Sequence, residues 1–315
     1  MYFPYLRGKQ FELMALRDFS NDNQGNNKII PIIEPVKQQM NGMNIALGVM
    51  IENGMKFAII LNPNDGDFKH ENIDNDILKQ FPQIIDKKTQ WIPAYTYKNN
   101  PERLLEHASL NGLDDLMIVL PKGVDVTDER LMSFLSNETV RYIVFANSGA
   151  RSVRPRLLKL DKHIISLKDR FNSRTRNADY ELVNDEFFSD DFAFYSADGL
   201  YGFSDYTTIG KDFVEGGMLP YAIAIHLTYK KTEEEIYVHH FVSENNYDQS
   251  NIKGKFHEAA QKIEPFFNGC DIVHTSAVDE LIEKSKSDDG YPGLGYLKKL
   301  SVKNHLELIN RILPE

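Results

Sequence analysis

Eight short runs of β-branched and aromatic residues recur between residues 29 and 226, and a helix-like stretch follows most of them. The runs begin roughly every 30 residues, which is the length of one strand plus one helix. Eight such units close a (β/α)8 barrel of about 250 residues. The predicted strands are residues 29–34, 57–62, 91–95, 116–120, 142–147, 163–168, 192–196 and 221–226. The sequence therefore predicts an α/β fold, a (β/α)8 TIM-like barrel.

The segments outside these runs predict additions to the barrel. Residues 9–19 carry an apolar residue every four positions and predict an N-terminal helix. Residues 235–242 predict the second arm of a C-terminal antiparallel hairpin, and helices follow the hairpin. Since no linker interrupts the chain, we predict one domain over residues 1–315, with the core strands at about 29–227 and a C-terminal extension at 228–315.

Charge and cysteine content restrict the partners of the protein. The 315 residues carry a net charge of −10, so the chain as a whole repels nucleic acid and direct nucleic-acid binding is not favoured. The only cysteine is Cys270, which excludes an internal disulfide and suits a reducing cytoplasm. No signal peptide and no apolar run of about 20 residues is visible. We expect a cytoplasmic protein that does not bind a membrane.

Polar residues at the carboxyl ends of the strands are the first site candidates, because barrel enzymes place their active sites at that end. Glu34 ends an apolar strand and precedes Pro35, so its carboxylate is our first candidate for a general base or a metal ligand. A structural ion pair is the alternative. The other strand-end candidates for ligand binding are Asn62, Tyr95, Asn147 and His226.

A basic cluster follows the sixth predicted strand of this acidic chain. Arg170 and Arg174 could bind a phosphate or carboxylate through paired hydrogen bonds, and Lys168 would add charge. Asp169 is a further candidate catalytic carboxylate. The alternative is a solvated loop that ion pairs of Asp169 stabilise.

The connection at residues 197–220 is rich in glycine and is predicted to be a long loop. Long loops inside compact domains are usually functional or mobile. Asp205 could orient or deprotonate a ligand there, and Tyr206 could stack on a ring. The alternative is a tightly folded loop whose aspartate caps its own backbone.

Three histidines raise the question of a metal site. Adjacent residues of a strand point to opposite faces, so at most one of His239 and His240 can join His226. Their spacing matches no zinc pattern, and a hydrogen-bonded structural role is favoured. We predict no metal site, and the sequence leaves any cofactor open.

Several phrases along the chain resemble the uncharacterised bacterial and phage "beta" protein family. The resemblance is closest to a subgroup whose members begin much like MYFPYLRGKQFEL at residues 1–13. It continues through GFSDY at 202–206, HLTY at 226–229, HFVS at 240–243, PGLG at 292–295 and KLS at 299–301. The resemblance implies a gene of mobile elements and phage-defence islands, often beside a small nuclease-like partner protein. It implies no reaction.

Two functions from different classes stay open. The first is a component of a two-protein antiphage defence or mobile-element system that binds a partner protein or a phosphorylated ligand through the barrel mouth. The second is a barrel hydrolase that acts on a phosphoester, with Glu34 and Asp205 as its carboxylates and the arginines as its anion-binding groups.

Overall fold

The computed structural model describes residues 1–69, 77–85, 87, 89–146, 152–215, 219–269, 272–287 and 291–314. These residues divide into two compact units. The barrel unit comprises Met1–Leu13, Ser20–Lys168 and Phe194–Asp205. The second unit comprises Met14–Phe19, Asp169–Ala193 and Tyr206–Glu315. The expectation of one domain over residues 1–315 stays a prediction.

The described part of the chain forms eleven strands and eleven α-helices. The strands are β1 Tyr5–Leu6, β2 Ile32–Ile33, β3 Phe57–Ile60, β4 Trp91–Thr96, β5 Leu116–Leu120, β6 Val140–Ala146, β7 His163–Lys168, β8 Asp185–Ser189, β9 Gly202–Asp205, β10 Ala224–Lys230 and β11 Ile236–Val242. The helices are α1 Gln10–Asp22, α2 Asn41–Glu52, α3 Pro82–Ile85, α4 Pro101–Leu110, α5 Glu129–Ser136, α6 Val153–Leu157, α7 Asp191–Phe194, α8 Ile252–Ala260, α9 Ile263–Asn268, α10 Ser276–Lys286 and α11 Leu294–Ile312. No helix of the described residues has the length and apolar content needed to cross a membrane.

The barrel unit is a nearly closed barrel of eight parallel strands in the order β1-β2-β3-β4-β5-β6-β7-β9. The last strand, β9, closes the barrel by pairing with residues 2 and 3, which precede β1 in the chain. Tyr2 forms a parallel bridge with Phe203, and the Phe3 amide donates to the Phe203 carbonyl at 2.9 Å. This arrangement is a mixed α/β fold consistent with a TIM-like barrel.

Register identifies the interior of the barrel. Neighbours in a parallel sheet share a face and successive residues alternate, so Phe3, Tyr5, Ile32 and Glu34 lie on one face. The Phe3 ring lies 6.4 Å from the Tyr142 ring, measured between centroids, although β6 is not adjacent to β1. A contact between non-adjacent strands crosses the interior, and this face is therefore the inner one.

Six of the eight predicted runs contribute strands to the barrel, although the first of them forms its second strand, and two runs are assigned wrongly. The barrel begins at β1, so the run at residues 29–34 contributes the second strand and the core starts before residue 29. Residues 192–196 are not a strand, because Asp191 begins the short helix α7 there. Residues 221–226 do not enter the barrel, because β10 belongs to a separate sheet. The eighth barrel strand is β9, which lies inside the segment predicted to be a long loop.

The second unit contains a three-stranded antiparallel sheet in the order β10-β11-β8. β10 and β11 form the hairpin that the sequence predicts, with His226 directly opposite His240. One apolar cluster joins β10 and β11 to α8, α9, α10 and α11. On α11, Asn304 donates to the Thr228 carbonyl at 2.9 Å, which attaches this helix to β10.

Candidate functional site

Glu34 lies at the carboxyl end of β2, on the inner face of the barrel, and is only 5% exposed. One carboxylate oxygen accepts the hydroxyl of Tyr5 at 2.8 Å, and the other accepts the backbone amide of Asn64 at 2.9 Å. Both contacts fix the carboxylate in one orientation. Tyr5 comes from β1 and Asn64 from the loop after β3, so three consecutive barrel units position this group.

Burial raises the pKa of Glu34, because the charged form is poorly solvated inside the barrel. The hydrogen bonds from Asn64 and Tyr5 oppose this rise, and so does the positive charge of Arg7. A buried carboxyl with a raised pKa holds its proton at a higher pH than a free carboxyl does, which suits a general acid or base.

Arg7 follows β1 directly and is buried beside this carboxylate. Its Nε donates to Asp65 Oδ2 at 3.0 Å, and its backbone amide donates to Glu12 Oε2 at 2.6 Å. The pKa of Arg7 is raised despite the opposing effect of its burial, because Asp65, Tyr5 and Glu34 surround it. Arg7 therefore neutralises the acidic end of the barrel interior.

The side chain of Asn62 connects strands β3 and β4. Its side-chain amide donates to the Thr96 carbonyl at 2.7 Å, and its side-chain oxygen accepts the Thr96 amide at 2.8 Å. These two bonds continue the pairing of β3 and β4 by one step. Asn62 lies at the strand end as predicted, but its donor and acceptor are both used by the backbone.

Two lysines follow strand ends in the same unit and are exposed. Lys98 comes two residues after β4, and Lys122 comes two residues after β5. The Lys98 amine donates to the Pro63 carbonyl at 3.5 Å. Partial burial lowers the pKa of Lys98, and the negative charge of Glu34 opposes this decrease. Within the described ranges, no ion pair joins either lysine to a carboxylate. These two positive charges are therefore available at the mouth, the carboxyl-terminal end of the barrel.

Asp205 lies on the opposite face of the barrel wall from Glu34. It is 2% exposed and accepts the hydroxyl of Tyr2 at 2.7 Å, and Tyr2 stacks on Phe203 of the same face. Lys168 pairs in register with Asp205 and shares this outer face. The structure therefore does not bring Asp205 and Glu34 together on the inner face.

The remaining barrel candidates divide in the same way. Tyr95 is buried with its hydroxyl 2.8 Å from His107 Nδ1 on α4, so it points to the helix layer and away from the interior. Asn147 lies outside the described residues. Of the predicted strand-end candidates in the barrel, Glu34 and Asn62 are the ones that lie on the inner face.

The basic cluster predicted to bind an anion belongs to the second unit, where carboxylates already contact it. Arg170 donates to Asp191 Oδ2 at 2.7 and 3.0 Å and to Asp190 at 3.3 Å. Arg174 forms an ion pair with Glu186 of β8. The carboxylates in these ion pairs are Asp190, Asp191 and Glu186, and not Asp169, whose ion pairs were the alternative interpretation of this cluster.

Asp169 and Tyr206 are also held within the second unit. The Asp169 carboxylate accepts the backbone amides of Lys211 and Phe171, while burial raises its pKa. Tyr206 is buried, and its carbonyl accepts the amides of Ile209 at 3.3 Å and Gly210 at 3.2 Å.

Reading strand ends misses Tyr5, Arg7, Asp65 and Lys98. The run of apolar residues at 2–6, followed by Arg7, is the signal that identifies the first strand and its strand-end cation. No group of three or more His, Cys, Asp or Glu residues in the described part of the chain could hold a metal ion.

The chain was also compared with known proteins. No protein-family model matches it, and no curated protein is similar to it.

Proposed function

We propose that this protein is the binding component of a two-protein antiphage defence or mobile-element system, and that its TIM-like barrel takes a phosphorylated, anionic ligand at the mouth. The defence context and a nuclease-like partner rest on the family resemblance. A cytoplasmic location fits the single cysteine, Cys270.

Support for the anionic ligand comes from Lys98 and Lys122. Both follow barrel strands, both are exposed, and neither forms an ion pair with a carboxylate of the described residues. An exposed cation that forms no ion pair attracts phosphate, even in a protein whose net charge is −10. The paired arginines of the second unit lack this property.

Calorimetry with inorganic phosphate and a nucleoside triphosphate tests the ligand class. We expect saturable binding, and each of Lys98→Ala and Lys122→Ala should weaken it about tenfold, the equivalent of one charged hydrogen bond. Lys56→Ala is the matched control, because Lys56 is exposed just before β3, at the other end of the strands. Binding that both mouth variants retain would contradict the proposal.

Phage challenge tests the biological role. Cells that carry the complete locus should survive infection, and the Lys98→Ala, Lys122→Ala double variant should lose protection while its melting temperature stays unchanged. Protection that persists in the double variant would separate the defence role from anion binding at the mouth.

A hydrolase is the second candidate, and the fixed, buried Glu34 favours it. Glu34→Gln keeps the shape, because the Tyr5 hydroxyl can accept a hydrogen bond from the new amide as well as donate one. In a hydrolase this change lowers the rate of phosphoester cleavage by about 10²–10⁴-fold and abolishes protection. In a binding component it leaves partner binding and protection intact.

A further inference from the structure

Two histidine rings of the second unit face each other across the β10–β11 hairpin. His226 and His240 are directly opposite in register, and their Nδ1 atoms are 2.8 Å apart. That distance is a hydrogen bond, and such a bond contains one proton. One ring therefore donates through Nδ1 while the other accepts through Nδ1.

Glu186 decides which ring donates. Its carboxylate lies 3.1 Å from His240 Nε2, and Arg174 forms an ion pair with the same carboxylate. A carboxylate only accepts, so His240 carries its proton on Nε2. Neutral His240 then presents a lone pair at Nδ1, and His226 must donate through its own Nδ1.

The consequence is a hydrogen-bond acceptor at the end of the chain of bonds. His226 has its proton on Nδ1 and a lone pair on Nε2. No hydrogen bond from the described residues reaches Nε2, and His226 is partly exposed. Burial lowers the pKa of His226 well below its usual value, with smaller contributions from His240 and Lys298, which keeps the ring neutral at physiological pH.

The surroundings of the pair define what can approach it. The rings of Phe171 and Tyr180 pack against His226 with centroids 5.1 and 4.6 Å away. Lys298 of α11 is exposed, and its positive charge acts on His226. The charges of Glu186, Arg174 and Asp185 act on the His240 ring. The pair therefore offers one lone pair, and Lys298 adds a positive charge that acts on His226.

We propose that His226 Nε2 accepts a hydrogen bond from an oxyanion that still carries a proton, such as a phosphate or phosphate monoester, with Lys298 contacting its charge. The proton stays on the ligand oxygen, because burial, His240 and Lys298 all disfavour the protonated form of His226. The hydrogen bonds from His226 to His240 and from His240 to Glu186 fix the tautomer that leaves the lone pair on Nε2. This site belongs to the second unit and is independent of the anion site proposed at the barrel mouth.

Long-range ¹H–¹⁵N spectra of the full chain, labelled with ¹⁵N-histidine, test the chain of bonds at neutral pH. We expect His226 to show a single tautomer with the proton on Nδ1. Glu186→Gln should give a mixture of tautomers, because an amide both donates and accepts. Asp185→Asn is the matched control: it removes a neighbouring charge from the same strand, and the single tautomer should persist. A proton on Nε2 of His226, or an unchanged tautomer in Glu186→Gln, would overturn the inference.

Titration with inorganic phosphate tests the ligand class in the same spectra. Phosphate should shift the Nε2 resonance of His226, and Lys298→Met should weaken this effect about tenfold. Lys253→Met, on α8, should leave it unchanged. An Nε2 resonance that phosphate does not shift would overturn the ligand assignment, and equal binding by Lys298→Met would overturn the role of Lys298. Loss of the mouth lysines leaves these readouts unchanged, so the two sites can fail separately.

Discussion

Charged groups are used in opposite ways in the two units. In the barrel unit the buried carboxylate Glu34 contacts neutral donors, while Lys98 and Lys122 have no carboxylate partner among the described residues. In the second unit Arg170 and Arg174 contact carboxylates. The partly exposed acceptor there is the uncharged histidine His226.

This difference separates stability from binding. A cation that is paired in a partly buried site leaves an uncompensated charge when it is removed, so its loss destabilises the fold. An exposed lysine that forms no ion pair leaves no buried charge behind, so its loss mainly affects what it binds. The arginines that the sequence suggested as ligand-binding groups therefore belong to the first kind, and the mouth lysines belong to the second.

Replacement of Arg170 should give the largest effect. Arg170→Ala removes the guanidinium from Asp191, which is 7% exposed and also accepts the Ser189 hydroxyl at 3.0 Å. We expect the free energy of unfolding to fall by about 3 kcal/mol, at the low end for a broken buried ion pair because part of the guanidinium is exposed. Urea unfolding followed by circular dichroism measures this change.

Arg176→Ala is the control for that variant. Arg176 also pairs with an aspartate, Asp179, at 2.7 Å, but its side chain is 78% exposed. Solvent screens such a pair, and we expect no measurable change in stability. Equal effects of the two substitutions would break the distinction between paired and exposed cations.

Most of the barrel is predictable from the sequence because the strands β2 to β7 are largely apolar and mostly buried on both faces, as parallel strands are. The ends of the barrel are not. β1 has only two residues, and β9 contains a glycine and no β-branched residue. Gly202 is required there by packing: a Cβ would lie 2.7 Å from the Met1 carbonyl and from the Phe3 ring. Periodicity carries no information on such a contact between distant segments.

The site is predictable only in part for a related reason. Glu34 is found because a carboxylate at the end of an apolar strand is conspicuous. Asp205 is also at a strand end, but the face on which it lies depends on the register of β9 against β7, which the sequence does not reveal. The partners of Arg170 lie 20 and 21 residues along the chain, and only the fold brings them together.

The titration of Glu34 should change the free energy of unfolding by less than the loss of Arg170 does. The folded state raises its pKa above the usual 4.5, so the folded protein holds this proton more tightly than the unfolded chain. The stabilisation is fully present below the unfolded pKa and is lost as pH rises through the folded pKa. Wild type should therefore lose stability relative to Glu34→Gln as pH rises above about 4.5, a difference that urea unfolding at a series of pH values measures. A difference that is constant across the series would show that burial does not shift this carboxyl.

The smallest expected effect is the stability of the mouth variants. Lys98→Ala and Lys122→Ala remove exposed charges that no described carboxylate balances, so unfolding free energies should stay within about 0.5 kcal/mol of wild type. In an acidic chain the loss of a positive charge adds slightly to self-repulsion, and the small residual change should shrink in high salt. Urea unfolding at low and high ionic strength measures both quantities. A loss of unfolding free energy as large as that of Arg170→Ala would mean that these lysines stabilise the barrel as the arginines stabilise the second unit. Weaker phosphate binding by the variants would then result from unfolding and not from a lost contact.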